Sequence, residues 1–341
     1  MSTPQPTNDS EEPEMRHLIG IATLCAVGSV GAAEYDPLAV KPGVEPPSAV
    51  DLDVVDSRRE RTIPIRVYAP AKTETSSRPP VVVFSHGLGG SREGSNFLGQ
   101  HWASRGYFVV YVQHPGSDEG VWKDIPFAKR LGAMKEAASA KNLELRLGDV
   151  PVVLNQLNTW SRDSTHAFHG QLDAESVGMS GHSFGAQTTQ GLSGQQLPIV
   201  GQKFLDSRIK AAVVMSPGAP LIGSTERAFG DVKIPWLVMT GTHDGSPIGG
   251  QTVETRRQVF PALPQGDKFE LVLDKAEHSV FTERPLPGER MKRNPNHRKV
   301  IIALTTAFWD AYLTRNEAAK SWLTSPAARS VMEPDDQWQA R

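Results

Sequence analysis

Two early stretches, Asp51-Leu52-Asp53-Val54-Val55-Asp56 and Ile63-Pro64-Ile65-Arg66-Val67-Tyr68, alternate in character at every second residue. A period of two puts alternate side chains on opposite faces of a strand, so this pattern predicts two strands joined by the charged turn Ser57 to Arg61. They form an antiparallel edge. Beyond them come short β-branched runs: Pro80–Phe84, Tyr107–Val112, Ser176–Met179, Ile209–Met215, Pro235–Met239 and Phe269–Leu273. Near-continuous apolar runs suit strands buried on both faces of a parallel sheet. Between the runs, Val153, Leu154, Leu157 and Trp160 fall on one helical face, as do Val300, Ile301, Leu304 and Phe308. The alternation predicts a doubly wound α/β domain, with a mostly parallel central sheet, helices on both faces and an antiparallel N-terminal edge.

The expected organisation is an export signal over residues 1–33, an extended lead-in over 34–50, the α/β domain over 51–331 and a polar tail over 332–341. The lead-in is rich in Pro and Gly and lacks periodicity. The segment Gly116 to Leu147 is the one long interruption of the strand and helix alternation, with Lys123, Lys129, Arg130, Lys135 and Lys141 scattered through it. Lid or binding loop and solvated helix with flanking loops are equal accounts of it. Glu317 to Val331, carrying Trp322 and Leu323, is expected to pack on the outside of the domain.

Met15-Arg16-His17 followed by the apolar, small-residue stretch Leu18 to Ala33 has the form of a secretory signal cleaved near Ala33. The acidic residues Asp9, Glu11, Glu12 and Glu14 fit the basic start of a signal badly, so Met15 is an alternative true start. The stretch is shorter and richer in Gly than the ~20 apolar residues of a membrane span. A periplasmic or secreted protein with no stable membrane span after cleavage is therefore expected. The single cysteine, Cys25, lies inside this segment, and Leu24 before it is bulky for a lipid-modification site. Cleavage leaves no disulfide and no thiol chemistry.

Composition narrows the partners. With 38% apolar and 22% charged residues, the 341-residue chain has the balance of a globular protein. A net charge of −2 offers no pull toward nucleic acid or an anionic membrane. Neither HExxH, nor a phosphate-binding GxxxxGK[ST], nor a strand-linked GxGxxG occurs, so no metal and no cofactor are expected.

The candidate chemistry centres on Gly181-His182-Ser183-Phe184-Gly185, the one GxSxG of the chain. It follows a strand-like run and leads into a helix-capable stretch, and a turn that sharp needs small residues two before and two after the serine. A serine hydroxyl attacks poorly until a base held by a carboxylate takes its proton. In a fold of this kind the chain order is Ser, acid, His, on loops at the carboxyl ends of strands. Asp244 follows the run Pro235–Met239 and His278 follows Phe269–Leu273. Asp274 and Glu277 are rival acids by proximity to His278, but such local connections suit turn or surface roles better. His243 and His297 read as surface histidines. The other place for an acid, directly after the strand that follows the nucleophile helix, reads Met215-Ser216-Pro217-Gly218 and holds no carboxylate. The oxyanion needs two N–H donors: Phe184, next to the nucleophile, and Leu88 in the loop Ser85-His86-Gly87-Leu88-Gly89-Gly90-Ser91. Trp102, Trp122, His114 and Phe281 could line a pocket or equally be core or surface residues.

The motifs FSHGLGG (Phe84 to Gly90), GHSFG (Gly181 to Gly185), GTHDG (Gly241 to Gly245) and EHSVF (Glu277 to Phe281) resemble those of α/β-hydrolases. The pair FSHGLG and GHSFG is similar to the platelet-activating-factor acetylhydrolase and dienelactone-hydrolase-like branch of serine esterases. The resemblance covers about Asp51 to Val331. It implies Ser183 as nucleophile, His278 as base, and Leu88 and Phe184 as oxyanion donors. The acetylhydrolase-like acid position is the one occupied by Ser216, so the acid moves to Asp244, as in dienelactone-hydrolase-like and cutinase-like relatives. The nucleophile is serine, unlike the cysteine of dienelactone hydrolases proper. The expected function is an exported serine ester hydrolase of carboxylesterase or lipase type, working on a small-molecule or polymer ester through an acyl-enzyme. A peptidase or amidase, a cutinase-like polyester hydrolase and, more remotely, a non-catalytic binding relative are the alternatives.

Overall fold

The apolar runs become strands whose two sets of side chains enter separate clusters of the core. Val82 and Phe84 pack with Trp102, Leu304, Phe308 and Trp309. Val81 and Val83, one residue out of phase, pack with Val150, Val153, Leu154 and Leu157. The period-two geometry of a strand thus explains why Pro80–Phe84 is apolar throughout: it has buried neighbours on both sides.

The computed structural model describes residues 1–4, 35–40, 47–71, 77–246 and 248–341. Apart from residues 1–4, the expected export signal lies outside the described residues. Tyr35–Arg341 form one compact unit. Among the described residues the strands are β1 (Ala49–Asp56), β2 (Arg61–Tyr68), β3 (Pro80–Ser85), β4 (Phe108–Val112), β5 (Asp173–His182), β6 (Ile209–Met215), β7 (Trp236–His243), β8 (Lys268–Glu277) and β9 (Gln337–Ala340). The helices are α1 (Asn96–Ser104), α2 (Phe127–Ala137), α3 (Ala140–Arg162), α4 (Phe184–Leu192), α5 (Thr225–Phe229), α6 (Val253–Arg257), α7 (Val259–Ala262), α8 (Pro295–Tyr312) and α9 (Glu317–Thr324).

One sheet runs β1-β2-β4-β3-β5-β6-β7-β8-β9. β4, β3, β5, β6, β7 and β8 are mutually parallel, while β1 and β2 add an antiparallel edge on one side. Helices α1, α8 and α9 contribute to the core on one face, and α3 to that on the other. This is the architecture of an α/β-hydrolase. Its consequence for function is geometric: parallel strands deliver the loops after β3, β5, β6, β7 and β8 to one edge of the sheet.

Two expectations change, and one open reading narrows. Residues 332–341 are not simply a polar tail: β9 pairs antiparallel with β8, and Trp338 stacks on Phe269 with ring centroids 5.5 Å apart. The stacked ring, the ladder to β8 and the Gln339–Glu270 hydrogen bond at 2.6 Å together hold this four-residue edge strand. The long interruption is largely helical, comprising α2 and the first two turns of α3, which continues through Pro151. His297 is buried at the start of α8 rather than on the surface.

Candidate active site

Ser183 sits between β5 and α4 with φ 58° and ψ −114°, a conformation that L residues rarely adopt. The turn closes because nothing intrudes: a Cβ on Gly181 would lie 2.3 Å from the Gly185 carbonyl oxygen, and one on Gly185 only 1.9 Å from that of Ser85. Both glycines are required by space. The Ser183 N–H donates to the Met215 carbonyl at 2.9 Å, tying the turn to the end of β6.

The three residues singled out by order and position meet here. His278 Nε2 lies 2.8 Å from Ser183 Oγ, and His278 Nδ1 lies 2.6 Å from Asp244 Oδ1. Ser183 is half-buried, His278 is buried in the single helical turn that follows β8, and Asp244 is fully buried just past β7. The rival acids are engaged elsewhere: Asp274 pairs with Lys275, and Glu277 accepts the N–H groups of Arg290 and Met291. His243 is exposed.

Asp244 is held from all sides. Its second oxygen accepts from the Ser216 hydroxyl at 2.7 Å and the Thr240 hydroxyl at 2.8 Å. Arg256, on α6, places Nε 3.1 Å from Asp244 Oδ1 and donates to the Asp244 carbonyl at 2.7 Å and to those of Ser216 and Pro217. Burial alone would raise the Asp244 pKa, but the His278 bond, the Arg256 charge and the Ser216 hydroxyl hold it below the ordinary carboxylate value. The acid therefore stays ionised. Ser216, which looked like a vacancy where an acid could stand, instead orients the acid supplied by the next strand.

His182 was not singled out by pattern and proves to be part of the assembly. Its Nε2–H donates to the His278 carbonyl at 2.9 Å, and the two rings lie 4.7 Å apart. Burial, with the nearby His278 and Arg256, lowers its pKa to about 3, so it is a neutral prop. The sequence signal available for it was its place beside the nucleophile, which says nothing about where the ring points.

The two candidate oxyanion donors flank the serine. Phe184 is the first residue of α4, so its N–H has no acceptor within the helix, and the positive end of the helix dipole lies there. Gly87 is close enough that a Cβ on it would lie 3.5 Å from Ser183 Cβ. The Gly87 carbonyl is gripped by His86 Nδ1 at 2.6 Å and by the Gly90 N–H at 3.0 Å. Because a peptide unit is planar and trans, fixing that carbonyl points the Leu88 N–H the opposite way. The His114 N–H donates to His86 Nε2 at 3.1 Å, which leaves the proton of neutral His86 on Nδ1 to make the grip.

Of the possible pocket residues, Trp102, His114 and Phe281 are fully enclosed. Trp122 is half-buried and donates from its indole to the Gly89 carbonyl at 2.7 Å, so it borders the oxyanion loop. Met134 reaches the same glycine, with a Cβ there falling 2.6 Å from its terminal methyl. Among the described residues no group of three or more His, Cys, Asp or Glu is arranged to hold a metal, and no helix is long and apolar enough to cross a membrane.

Residues 57–139, from the β1–β2 turn through α2, match the family described as platelet-activating factor acetylhydrolase, isoform II. The chain resembles the platelet-activating factor acetylhydrolase branch of the α/β-hydrolases. The matched stretch holds the Leu88 loop and ends before Ser183. A relative, the platelet-activating factor acetylhydrolase of Gallus gallus, is 28% identical over an alignment covering 36% of this chain and 38% of its own length. The likeness thus spans well under half of that relative.

Proposed function

We propose that this protein is an exported serine hydrolase of carboxylic esters, acting through an acyl-enzyme. The observation that carries the reading is the continuous hydrogen-bond path from Ser183 Oγ through His278 to Asp244, at 2.8 and 2.6 Å, on a strained strand-to-helix turn. The likeness to acetylhydrolases over residues 57–139 supports the ester class.

In this reading Ser183 Oγ attacks the ester carbonyl carbon while its proton passes to His278 Nε2. Ionised Asp244 keeps Nδ1–H directed inward and stabilises the imidazolium. The negative oxygen of the tetrahedral intermediate is taken by the Leu88 and Phe184 N–H groups. Collapse breaks the bond to the alcohol, which leaves with the proton from His278. Water then repeats the sequence on the acyl-serine, regenerating the free hydroxyl and releasing the acid.

Turnover of p-nitrophenyl butyrate by the purified protein tests this directly. Ser183→Ala is expected to lower kcat by about 10⁴-fold or more, and Asp244→Asn by about 10³ to 10⁴-fold, with Asp274→Asn near wild type. Full activity in Ser183→Ala, or equal losses in the two aspartate variants, refutes the assignment. Paired ester and amide substrates with one acyl group separate an esterase from an amidase on the same residues. Export is tested by fractionating cells that express the full chain and sequencing the mature N-terminus, with a start at or near Glu34 the expected result.

A further inference from the structure

Arg146, in the long interruption whose role the sequence left open, lies at the point where three parts of the site converge. It is fully buried on α3. Nη1 donates to the His86 carbonyl at 2.7 Å, and Nε to Ser117 Oγ at 2.8 Å. Its guanidinium lies over the Phe184 ring, 4.5 Å from the centroid.

Those contacts reach both candidate oxyanion donors. On one side, His86 grips the Gly87 carbonyl and so sets the direction of the Leu88 N–H, and Arg146 pins the backbone of His86 itself. The Gly89 N–H donates to the Ser117 carbonyl at 2.9 Å, and Ser117 is the residue that Arg146 holds. Leu88 therefore lies between two anchored neighbours. On the other side, the cation against the face of Phe184 fixes the residue whose N–H is the second donor.

The helix is in turn anchored one turn further on. Asp149 binds Arg61 through both oxygens at 2.8 and 2.9 Å, Arg59 at 2.9 Å and His114 Nδ1 at 2.9 Å. Burial alone would raise its pKa, but His114 and Arg61 bring it to about 2, so it is an anion at neutral pH. Burial lowers Arg146 to about 9, with Asp149 and Asp118 opposing, which leaves it cationic at neutral pH. A buried charge tied to two loops and a catalytic turn, instead of to one partner, is more than a satisfied core residue.

We propose that Arg146 is the positioning residue of the oxyanion hole, holding the Leu88 and Phe184 N–H groups at the separation the tetrahedral intermediate needs; this rests on the esterase reading above. It does not touch substrate. Its loss is felt in the transition state and not in ground-state binding, because the hole is filled by charge only when the oxyanion develops.

The experiment compares wild type, Arg146→Met, Arg146→Lys, Ser117→Ala and Ser183→Ala as full chains. The readouts are kcat and KM for p-nitrophenyl butyrate and the affinity for an alkyl trifluoromethyl ketone. That ketone bonds to Ser183 Oγ, passes the serine proton to His278 and leaves its oxygen as an anion in the hole. Arg146→Met is expected to lower kcat about 100-fold with KM within about twofold, and to weaken ketone affinity in proportion to kcat/KM. Arg146→Lys, which keeps the charge but lacks the fork, should lose about tenfold and Ser117→Ala a few-fold. A folded Arg146→Met with kcat and ketone affinity within about threefold of wild type overturns the proposal. Should that variant not fold, unchanged ketone affinity in both Arg146→Lys and Ser117→Ala overturns it equally. Undiminished turnover in Ser183→Ala would instead refute the esterase reading itself.

Discussion

At the scale of single residues, the acid of the site has two addresses within hydrogen-bonding distance. Ser216 Oγ is 2.7 Å from Asp244 Oδ2, although the two residues stand at the ends of different strands. A carboxylate carried at position 216 would therefore reach almost the same point, beside the same Arg256, as the carboxylate of Asp244. Asp244→Asn alone leaves His278 without an anionic partner and is expected to lose several orders of magnitude in kcat. Adding Ser216→Asp to Asp244→Asn should recover at least about tenfold of that loss, measured as kcat/KM on p-nitrophenyl butyrate. In the wild-type background Ser216→Asp should be harmful, since two buried carboxylates within bonding distance cannot both ionise. A double variant no better than Asp244→Asn would mean that the reach of the side chain, or the left-handed backbone of Ser216 at φ 56°, does not let the new acid address His278.

At the scale of elements, legibility followed how local the physics was. The runs Pro80–Phe84, Ile209–Met215 and Phe269–Leu273 were readable because strands with buried neighbours on both faces need apolar residues at nearly every position, Lys210 and Glu270 being the exceptions in these three. The meeting of Ser183, Asp244 and His278 was readable because each comes just after such a run and their order along the chain is constrained. Arg146, Arg256 and His182 were not, since their meaning lies in contacts made across the sheet, and an arginine on a helix carries no mark of being buried. α3 was read only from Val153 onward because Pro151, which removes a helical hydrogen bond, masks the continuity of the helix on either side. β9 was missed for a different reason: its alternation, Gln337-Trp338-Gln339-Ala340, lasts only four residues and holds one large apolar side chain, too short a run to stand out. Its contribution can be measured. Trp338→Ala removes the ring stacked on Phe269 and is expected to destabilise the fold by about 1–3 kcal/mol in urea unfolding. kcat per folded molecule should stay unchanged, because β9 lies at the sheet edge beyond β8; a loss of kcat without loss of stability would show that this edge reaches the site.

At the scale of the whole molecule, the buried histidines set how the fold responds to acid. His86, His114 and His182 are each nearly or fully buried, and burial holds all three below the ordinary histidine value, His114 to about 4 and His182 to about 3. Each is neutral in the folded chain, whereas an unfolded chain takes up the proton near pH 6.5. Between that pH and the folded values the unfolded state binds more protons, so stability is fully present above about pH 6.5 and falls as pH is lowered through that window. Each such histidine shifts the folding equilibrium by up to about tenfold per pH unit, and His101 and His297, which burial also lowers, add to the three. The depressed carboxylates Asp149 and Asp244 work in the same direction but lower, losing their contribution only as pH falls below about 4, Asp149 toward about 2. Acid destabilisation should therefore begin well above the carboxylate range. Urea midpoints between pH 8 and pH 4.5 measure this, with a steady decline starting near pH 6.5 the expected result. His114→Gln should start lower at pH 8, having lost the bonds to Asp149 and Ser85, yet decline with a slope smaller by about one proton. A midpoint flat from pH 8 to pH 5 in the wild type would show that these rings accept protons inside the fold. The network beneath the oxyanion loop would then tolerate a charge that its enclosure and the neighbouring Arg146 oppose.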